Sequence, residues 1–257
     1  MSEPVSRRFG RFRGREPKLP SERDWERSAL LVPRPAPLLP DVVSDGGGLP
    51  FALAALVGTP TPLDPDDAAV GALLYQLKFQ AARRRAAPAP GALPGAVTTA
   101  VAVLEGWRAL ARADDEVLFG LGLPPRLLTV AVHREGRRGD WVCAHSSASQ
   151  PLRATRDGIR ASSWRVDPTR EVAPEDTVLR VLVTEQAFAG GQRADRRVLE
   201  PDMYADESEI VLRMFVAPRP GFQSGSLNPE TPVRIALPQA VGERQLSDGA
   251  FTPETRP

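Results

Sequence analysis

The sequence is poor in the side chains that carry most chemistry at neutral pH. Its 257 residues include one cysteine, Cys143, and two histidines, His133 and His145. A single cysteine excludes an intrachain disulfide and suits a reducing compartment. One cysteine and two histidines cannot build a common zinc set without carboxylates, so neither a metal nor any other cofactor is expected. No Gly-x-Ser-x-Gly elbow is present. The triplet Gly46-Gly47-Gly48 is not followed by Lys-Ser/Thr, which argues against a phosphate-binding loop. Aromatic residues make up only 6% of the chain, so Val, Leu and Ala must fill the core. The longest apolar run, around Leu49 to Val57, is too short to span a bilayer. The N-terminus has no apolar stretch after its basic residues and does not read as a secretory signal. These absences predict a soluble, cytoplasmic protein. The formal net charge of +1 provides no strong field to steer a charged partner, so electrostatic function must be local.

What is present is a globular composition, 42% hydrophobic and 25% charged, with 27 prolines and 21 glycines. Residues 1–48 read as a flexible basic, Pro-rich arm. Six cations within the first twenty residues, Arg7, Arg8, Arg11, Arg13, Arg15 and Lys18, oppose the two acids Glu3 and Glu16. Phe9 and Phe12 lie among them. Arginine-rich segments bind phosphate backbones by releasing counterions, and the two phenylalanines are candidates for stacking on unpaired bases. The same composition serves a solubilising tail or a protein-docking arm, and both readings stay open. Pro33, Pro35, Pro37 and Pro40 exclude a helix and favour an extended segment. Leu30, Leu31 and Val32 are placed to dock on the body as a strap.

Residues 49–125 read as a helical region. A helix over 66–86 is expected, capped by Asp66 or Asp67, with Val70, Leu73, Leu74 and Leu77 at helical spacing. Arg83, Arg84 and Arg85 close it at the negative end of the dipole, or extend a basic surface. A second helix is expected over Ala96–Arg112, and the acidic run Asp114-Asp115-Glu116 reads as the start of a short third. Residues 126–250 read as an antiparallel β domain. Expected strands are Leu127–His133 and Trp141–His145 around a polar glycine-bearing loop. Ile159–Val166 follows the turn at Asp157-Gly158. Val178–Thr184 and Ile210–Val216 come next, the latter with Ile210, Leu212, Met214 and Val216 on one face. A last strand has Val233, Ile235 and Leu237 alternating. Residues 251–257 form a polar tail.

Within this frame the candidate chemistry is thin. Cys143 and His145 are two apart on an expected strand, which places both on one side, where an imidazole could activate a thiol. No orienting partner is evident. Ser146, Ser147 and Ser149 follow His145 and offer hydroxyls for a hydrolase, but they equally form a solvated strand end. Trp107, Trp141 and Trp164 read as packing anchors, or as partner-binding residues if they cluster on the surface.

The C-terminal third carries a series of short segments. It runs Val183-Thr184-Glu185-Gln186, Gly190-Gly191 and Arg197-Val198-Leu199-Glu200-Pro201, then Ile210 to Val216 and Pro218-Arg219-Pro220-Gly221. It ends with Asn228-Pro229-Glu230-Thr231-Pro232-Val233 and Leu246-Ser247-Asp248-Gly249. This text resembles an uncharacterised domain common in secreted proteins and lipoproteins of high-GC bacteria. Members of that group typically carry two cysteines, and the matching positions here fall near Phe188 and Ser224. The resemblance implies a small β module and no known activity, so it assigns no functional residue.

The fold expected is α+β, a helical pair packed with an antiparallel, sandwich-like sheet behind a disordered N-terminal arm. The function expected is that of a non-enzymatic interaction or scaffold protein. It would bind a protein partner or itself through the arm and the β-rich body. Nucleic-acid association through Arg7, Arg8, Phe9, Arg11, Phe12, Arg13 and Arg15 is the alternative, and a hydrolase using His145 and a neighbouring serine is the second.

Overall fold

The computed structural model describes residues 19–86, 100–124, 126–136, 139–148, 151–187, 189–221 and 228–251. The fold is α+β and rich in sheet, with the described strands arranged in four four-stranded sheets.

The chain is folded onto the body from Leu19 onward, so the second half of the expected arm is structured. Helix α1 (Glu22–Arg27) opens with a reciprocal capping box. The Asp24 N–H donates to Ser21 Oγ at 3.3 Å, and the Ser21 N–H donates to Asp24 Oδ2 at 2.8 Å. Two otherwise orphaned donors are thereby satisfied. Trp25, 1% exposed, anchors the helix, and the Arg180 guanidinium lies 5.4 Å from its ring centroid. Strands β1 (Leu30–Leu31) and β2 (Arg34–Pro35) each add in parallel to a strand of the C-terminal half. Leu31 packs on the core there, as a strap would.

The proline alternation explains why an extended edge forms. Pro33, Pro35 and Pro37 remove every second N–H. The remaining N–H groups, on Arg34 and Ala36, therefore point the same way and donate to Pro201 O and Met203 O, each at 2.8 Å. Strands β3 (Val42–Ser44) and β4 (Phe51–Ala52) follow as an antiparallel pair, and a 3-10 turn covers Leu53–Leu56.

Helix α2 (Ala68–Ala86) forms where expected, with Asp67 Oδ1 accepting the Ala69 N–H at 2.8 Å. The second expected helix is cut short. Helix α3 (Ala100–Leu104) ends at Gly106, whose φ of +78° is the left-handed conformation that terminates helices. The rest of that span, with its apolar positions, is strand β5 (Trp107–Arg112). The acidic run that reads as a helix start instead makes the turn into β6 (Glu116–Leu121), closed by Ala113 N–H to Glu116 O at 2.8 Å. Strands β5, β6, β7 (Leu128–Glu135) and β8 (Asp140–Ala148) form an antiparallel meander. Its strands pair across residue 125, so the expected helical region 49–125 and the expected β region 126–250 share one sheet.

This meander is covered on both faces. Ala69, Val70, Leu73 and Leu74 of α2 pack with Val117, Phe119, Val130 and Val132 on one side. Val43, Phe51 and Leu56 pack with Leu118 and Ala131 on the other. Double coverage explains the near-continuous apolar runs of β6 and β7.

Strands β9 (Arg153–Arg156) and β10 (Ile159–Arg160) form a hairpin around Asp157-Gly158, with φ of 51° and 75°. Two positive φ values suit an Asp-Gly turn between twisted strands. This hairpin joins β3 and β4 as a second sheet. The single strand expected over Ile159–Val166 therefore divides: β11 (Ser163–Val166) belongs to a third sheet.

The remaining strands are β12 (Val178–Thr184), β13 (Asp202–Ala205), β14 (Glu209–Arg213), β15 (Thr231–Ala236) and β16 (Gln245–Asp248). The third sheet, ordered β1-β15-β12-β11, faces the fourth, ordered β16-β14-β13-β2. Leu179, Val181 and Val183 from one side meet Ile210, Leu212 and Met214 from the other, with Val233 and Ile235 beside them. Each fully buried aliphatic side chain contributes about 1.5–3 kcal/mol, so this interior is the main stabiliser of the C-terminal half. Three pairings in the fold, β1 with β15, β2 with β13 and β14 with β16, are parallel rather than antiparallel.

Candidate functional site

The chemistry suggested by Cys143 and His145 does not assemble. The register shifts so that Ala131 pairs with His145 but Val132 with Cys143. Ala144 is the extra residue of a β-bulge, and an extra residue reverses the faces on either side of it. Cys143 consequently packs with the α2 side of the meander, while His145 lies on the opposite face. Burial pushes the Cys143 thiol pKa up, which disfavours the thiolate a nucleophile needs.

His145 instead meets the glycine triplet. A Cβ on Gly47 would run into its imidazole ring, and one on Gly46, at φ +90°, would run into the Arg160 guanidinium. The loop is fastened from below. Asp45, 6% exposed, accepts from the Thr129 hydroxyl through Oδ2 and from the Gly47 N–H through Oδ1 at 3.0 Å. Ser147 Oγ lies 2.6 Å from Thr129 Oγ1 and 3.4 Å from Asp45 Oδ2. Ser147 thus serves the Asp45 network, and Ser146 accepts a bond from Gln80 at 3.2 Å. These residues fix the loop to the meander. Ser149 lies outside the described residues.

The junction between the second and fourth sheets is unusual in composition. Its buried apolar cluster is small, formed by Ala154, Ala161, Phe215 and Ala250. Arginines fill the remaining space by lying on rings. Arg153 sits 4.0 Å from the Phe251 centroid and Arg156 sits 4.3 Å from that of Phe215. Arg153 is held at a pKa of about 10 by burial and by repulsion from Arg160, partly offset by Asp248. Arg160 and Arg213 are also lowered by burial, and the Nε of each is buried without a hydrogen-bond partner. A groove of about 350 Å³ opens here between the proline strap and the β9–β10 hairpin, with Arg34, Arg156, Arg213 and Asp202 in its walls.

Two wider depressions, of about 670 and 950 Å³, flank the turn at Gly242. Two of the arginines lining the larger one are already matched: Arg165 forms a two-point pair with Glu230 at 2.6 and 2.7 Å, and Arg170 pairs with Asp176 at 2.6 Å. That makes it a weaker candidate for a charged ligand than the arginine groove.

Helix α2 presents the other candidate surface. Beyond the side packed on the meander, its exposed positions are Ala68, Gly71, Tyr75, Lys78, Phe79, Ala81, Ala82 and Arg83. Tyr75 is 73% exposed and Phe79 is 48% exposed. Arg83 lies over Phe79 at 5.6 Å. No acidic residue occurs between residues 68 and 86.

The three tryptophans singled out from sequence do not form a surface cluster. Trp107 is buried, Trp164 packs on the sandwich core and donates to Leu212 O at 2.9 Å, and Trp141 packs on the α2 side of the meander. Residues of the C-terminal segments singled out from sequence act in packing. Glu185 forms a two-point pair with Arg197 at 2.7 and 2.6 Å. The Asn228 amide bridges Glu185 O, Ala187 O and the Ala189 N–H. Phe188 and Ser224 lie outside the described residues, as do Arg7, Arg8, Phe9, Arg11, Phe12, Arg13 and Arg15.

Among the described residues, no helix is long and apolar enough to cross a membrane, and no group of three or more His, Cys, Asp or Glu is placed to hold a metal. No family model, curated protein or solved structure matches the chain.

Proposed function

We propose that this chain is a non-enzymatic interaction protein of the cytoplasm, and that its body docks a protein partner on the outer face of α2. One observation carries the reading: the outward side of α2 exposes two aromatic rings among small residues and carries no acid. A surface helix ordinarily turns a polar face to water. Here the outward side offers Tyr75, Phe79 and small residues, with Lys78 and Arg83 as the only charges at described side chains. Aromatic residues and arginine are the types enriched at binding hot spots. The occupant is an apolar protein surface with an acidic rim, because the face carries cations and no acid. A second copy of the same face would set Lys78 and Arg83 against their own equivalents, which is unfavourable. The cytoplasmic placement rests on the single cysteine, since the chain draws no stability from an oxidising compartment.

The test is in-cell photocrosslinking from a benzophenone side chain placed at position 75, with position 178 on the sandwich as the control. A discrete protein adduct from position 75 only, mapped to an acidic segment of the partner and reduced by Phe79→Ser, supports the reading. Adducts only with copies of this chain, or equal adducts from both positions, overturn it. Adducts that disappear with nuclease overturn it in favour of nucleic-acid association, and deleting residues 1–18 then shows whether the arginine-rich segment is responsible.

A further inference from the structure

Three arginines and three aspartates line the arginine groove, but only one of the carboxylates, Asp202, lies in its enclosed part. Three guanidinium groups, of Arg34, Arg156 and Arg213, converge around Asp202. Asp202 Oδ1 accepts from Arg156 Nη1 at 2.6 Å and from Arg34 Nη2 and Nε at 3.0 and 3.3 Å. One oxygen thus serves two cations. Arg156 has a further bond, from Nη2 to Glu200 O at 2.9 Å, and its flat face rests on Phe215. Arg213 is 2% exposed, and its Nη2 donates to Leu38 O. It sits directly across from Asp202 in the β13–β14 register. Its Nε has no hydrogen-bond partner.

The other charged groups at the groove are Asp41 and Asp157, both exposed at the rim. The enclosed part therefore holds two guanidiniums, Arg156 and Arg213, against one carboxylate, Asp202. Taking an unmatched cation out of water is costly unless an anion joins it. The lowered pKa of Arg213 reports the same burden: burial pushes it down, and Asp202 and Asp41 offset only part of that.

We infer that the groove between the proline strap and the β9–β10 hairpin is a binding site for a compact oxyanion, the phosphate or carboxylate group of a small ligand. The geometry suits that chemistry. Guanidinium groups present forked donors to planar or tetrahedral oxyanions. A volume of about 350 Å³ admits a small molecule around the anionic group. Phe215 forms an apolar floor under Arg156, which lowers the local dielectric and strengthens the charge interaction. The proline strap fixes one wall, so little ordering cost falls on binding.

This site is separate from the α2 face and stands whether or not that face docks a partner. The test uses the full chain, titrated by calorimetry at constant ionic strength with inorganic phosphate, with acetate and with chloride. Saturable binding of phosphate or acetate but not chloride is expected, and the preferred one identifies the ligand's anionic group. Two rim variants, chosen because their side chains are exposed, must move affinity in opposite directions. Arg34→Gln should weaken it about 5- to 10-fold, as for loss of one charge-assisted bond, and Asp41→Asn should tighten it. Absence of saturable binding by both oxyanions, equal binding of chloride, or variants that leave affinity unchanged would overturn the inference.

Discussion

Replacing Trp25 tests whether the N-terminal segment is part of the fold. Truncating a buried tryptophan to alanine costs about 3–5 kcal/mol through lost transfer energy and the cavity left behind. Trp25 is 1% exposed, so the full penalty applies. Loss of the Arg180 contact over its ring adds a little more, about 0.5 kcal/mol for a partly exposed cation. One term opposes these. The indole Nε1 is buried without a partner, and removing such a donor relieves about 1–3 kcal/mol. The net for Trp25→Ala is a loss of about 2.5 kcal/mol. Trp25→Phe retains most of the ring and also removes the unpaired donor, so it should cost less than about 1.5 kcal/mol. Urea denaturation of both variants, with slopes compared to the parent, measures the difference. Hydrogen exchange at residues 30–36 should rise in the alanine variant, since β1 and β2 follow directly from the helix that Trp25 anchors. An alanine variant within about 0.5 kcal/mol of the parent would refute the docking of this segment, because surface changes fall in that range.

Other consequences follow from single contacts. Arg197→Met strands the buried Glu185 carboxylate and should destabilise by about 3–5 kcal/mol, read from thermal or chemical unfolding. Gly47→Ala forces a methyl into the His145 ring and should cost about 1–3 kcal/mol; in an His145→Ala background most of that cost should vanish, which a double-mutant cycle measures. Asp206 is held at a pKa of about 2, first by the Glu209 and Ser208 N–H groups, then by the hydroxyls of Ser208 and Tyr204. Its folded value lies below the unfolded one, about 3.9, so its contribution is complete above that value and is lost as pH falls through the folded pKa. Carboxyl NMR should therefore show Asp206 titrating near pH 2, whereas a midpoint near 4 would contradict the turn geometry.

Two strands of the C-terminal half were legible as short apolar runs bounded by turn residues, Val178–Thr184 and Ile210–Val216. Leu179, Val181 and Val183 face the sandwich interior, as do Ile210, Leu212 and Met214, while the intervening Leu182, Val211 and Phe215 are buried as well, so the runs read as near-continuous apolar strands. Strand β5 was hidden for a different reason. Both faces of its sheet are covered, so the apolar spacing over 96–112 fits a helix as well as a strand, and only Gly106 marks the break. Alternating proline predicts the extended conformation found at 33–37, but assigning the stretch to a flexible arm missed its docking, because proline does not exclude strand pairing. It excludes helix, but at every second position it leaves one usable strand edge.

Site geometry was less accessible. A bulge at Ala144 separates Cys143 from His145, and no local composition announces it. The approach of Gly47 to His145 joins residues far apart in sequence and depends wholly on tertiary packing. Two signals were present and unread: arginines at 153, 156 and 160 around an Asp-Gly turn, and a nineteen-residue helix without one acid.

The most direct test of the docking face is hydroxyl-radical footprinting of Tyr75 in intact cells and in the purified protein, with Tyr204 as the internal reference. Tyr75 is 73% exposed in the isolated chain and should label readily once purified. Strong protection of Tyr75 and Phe79 in cells, with Tyr204 unchanged, is the predicted result. Equal labelling of Tyr75 in both settings would mean that nothing covers this face, and would contradict the proposed function.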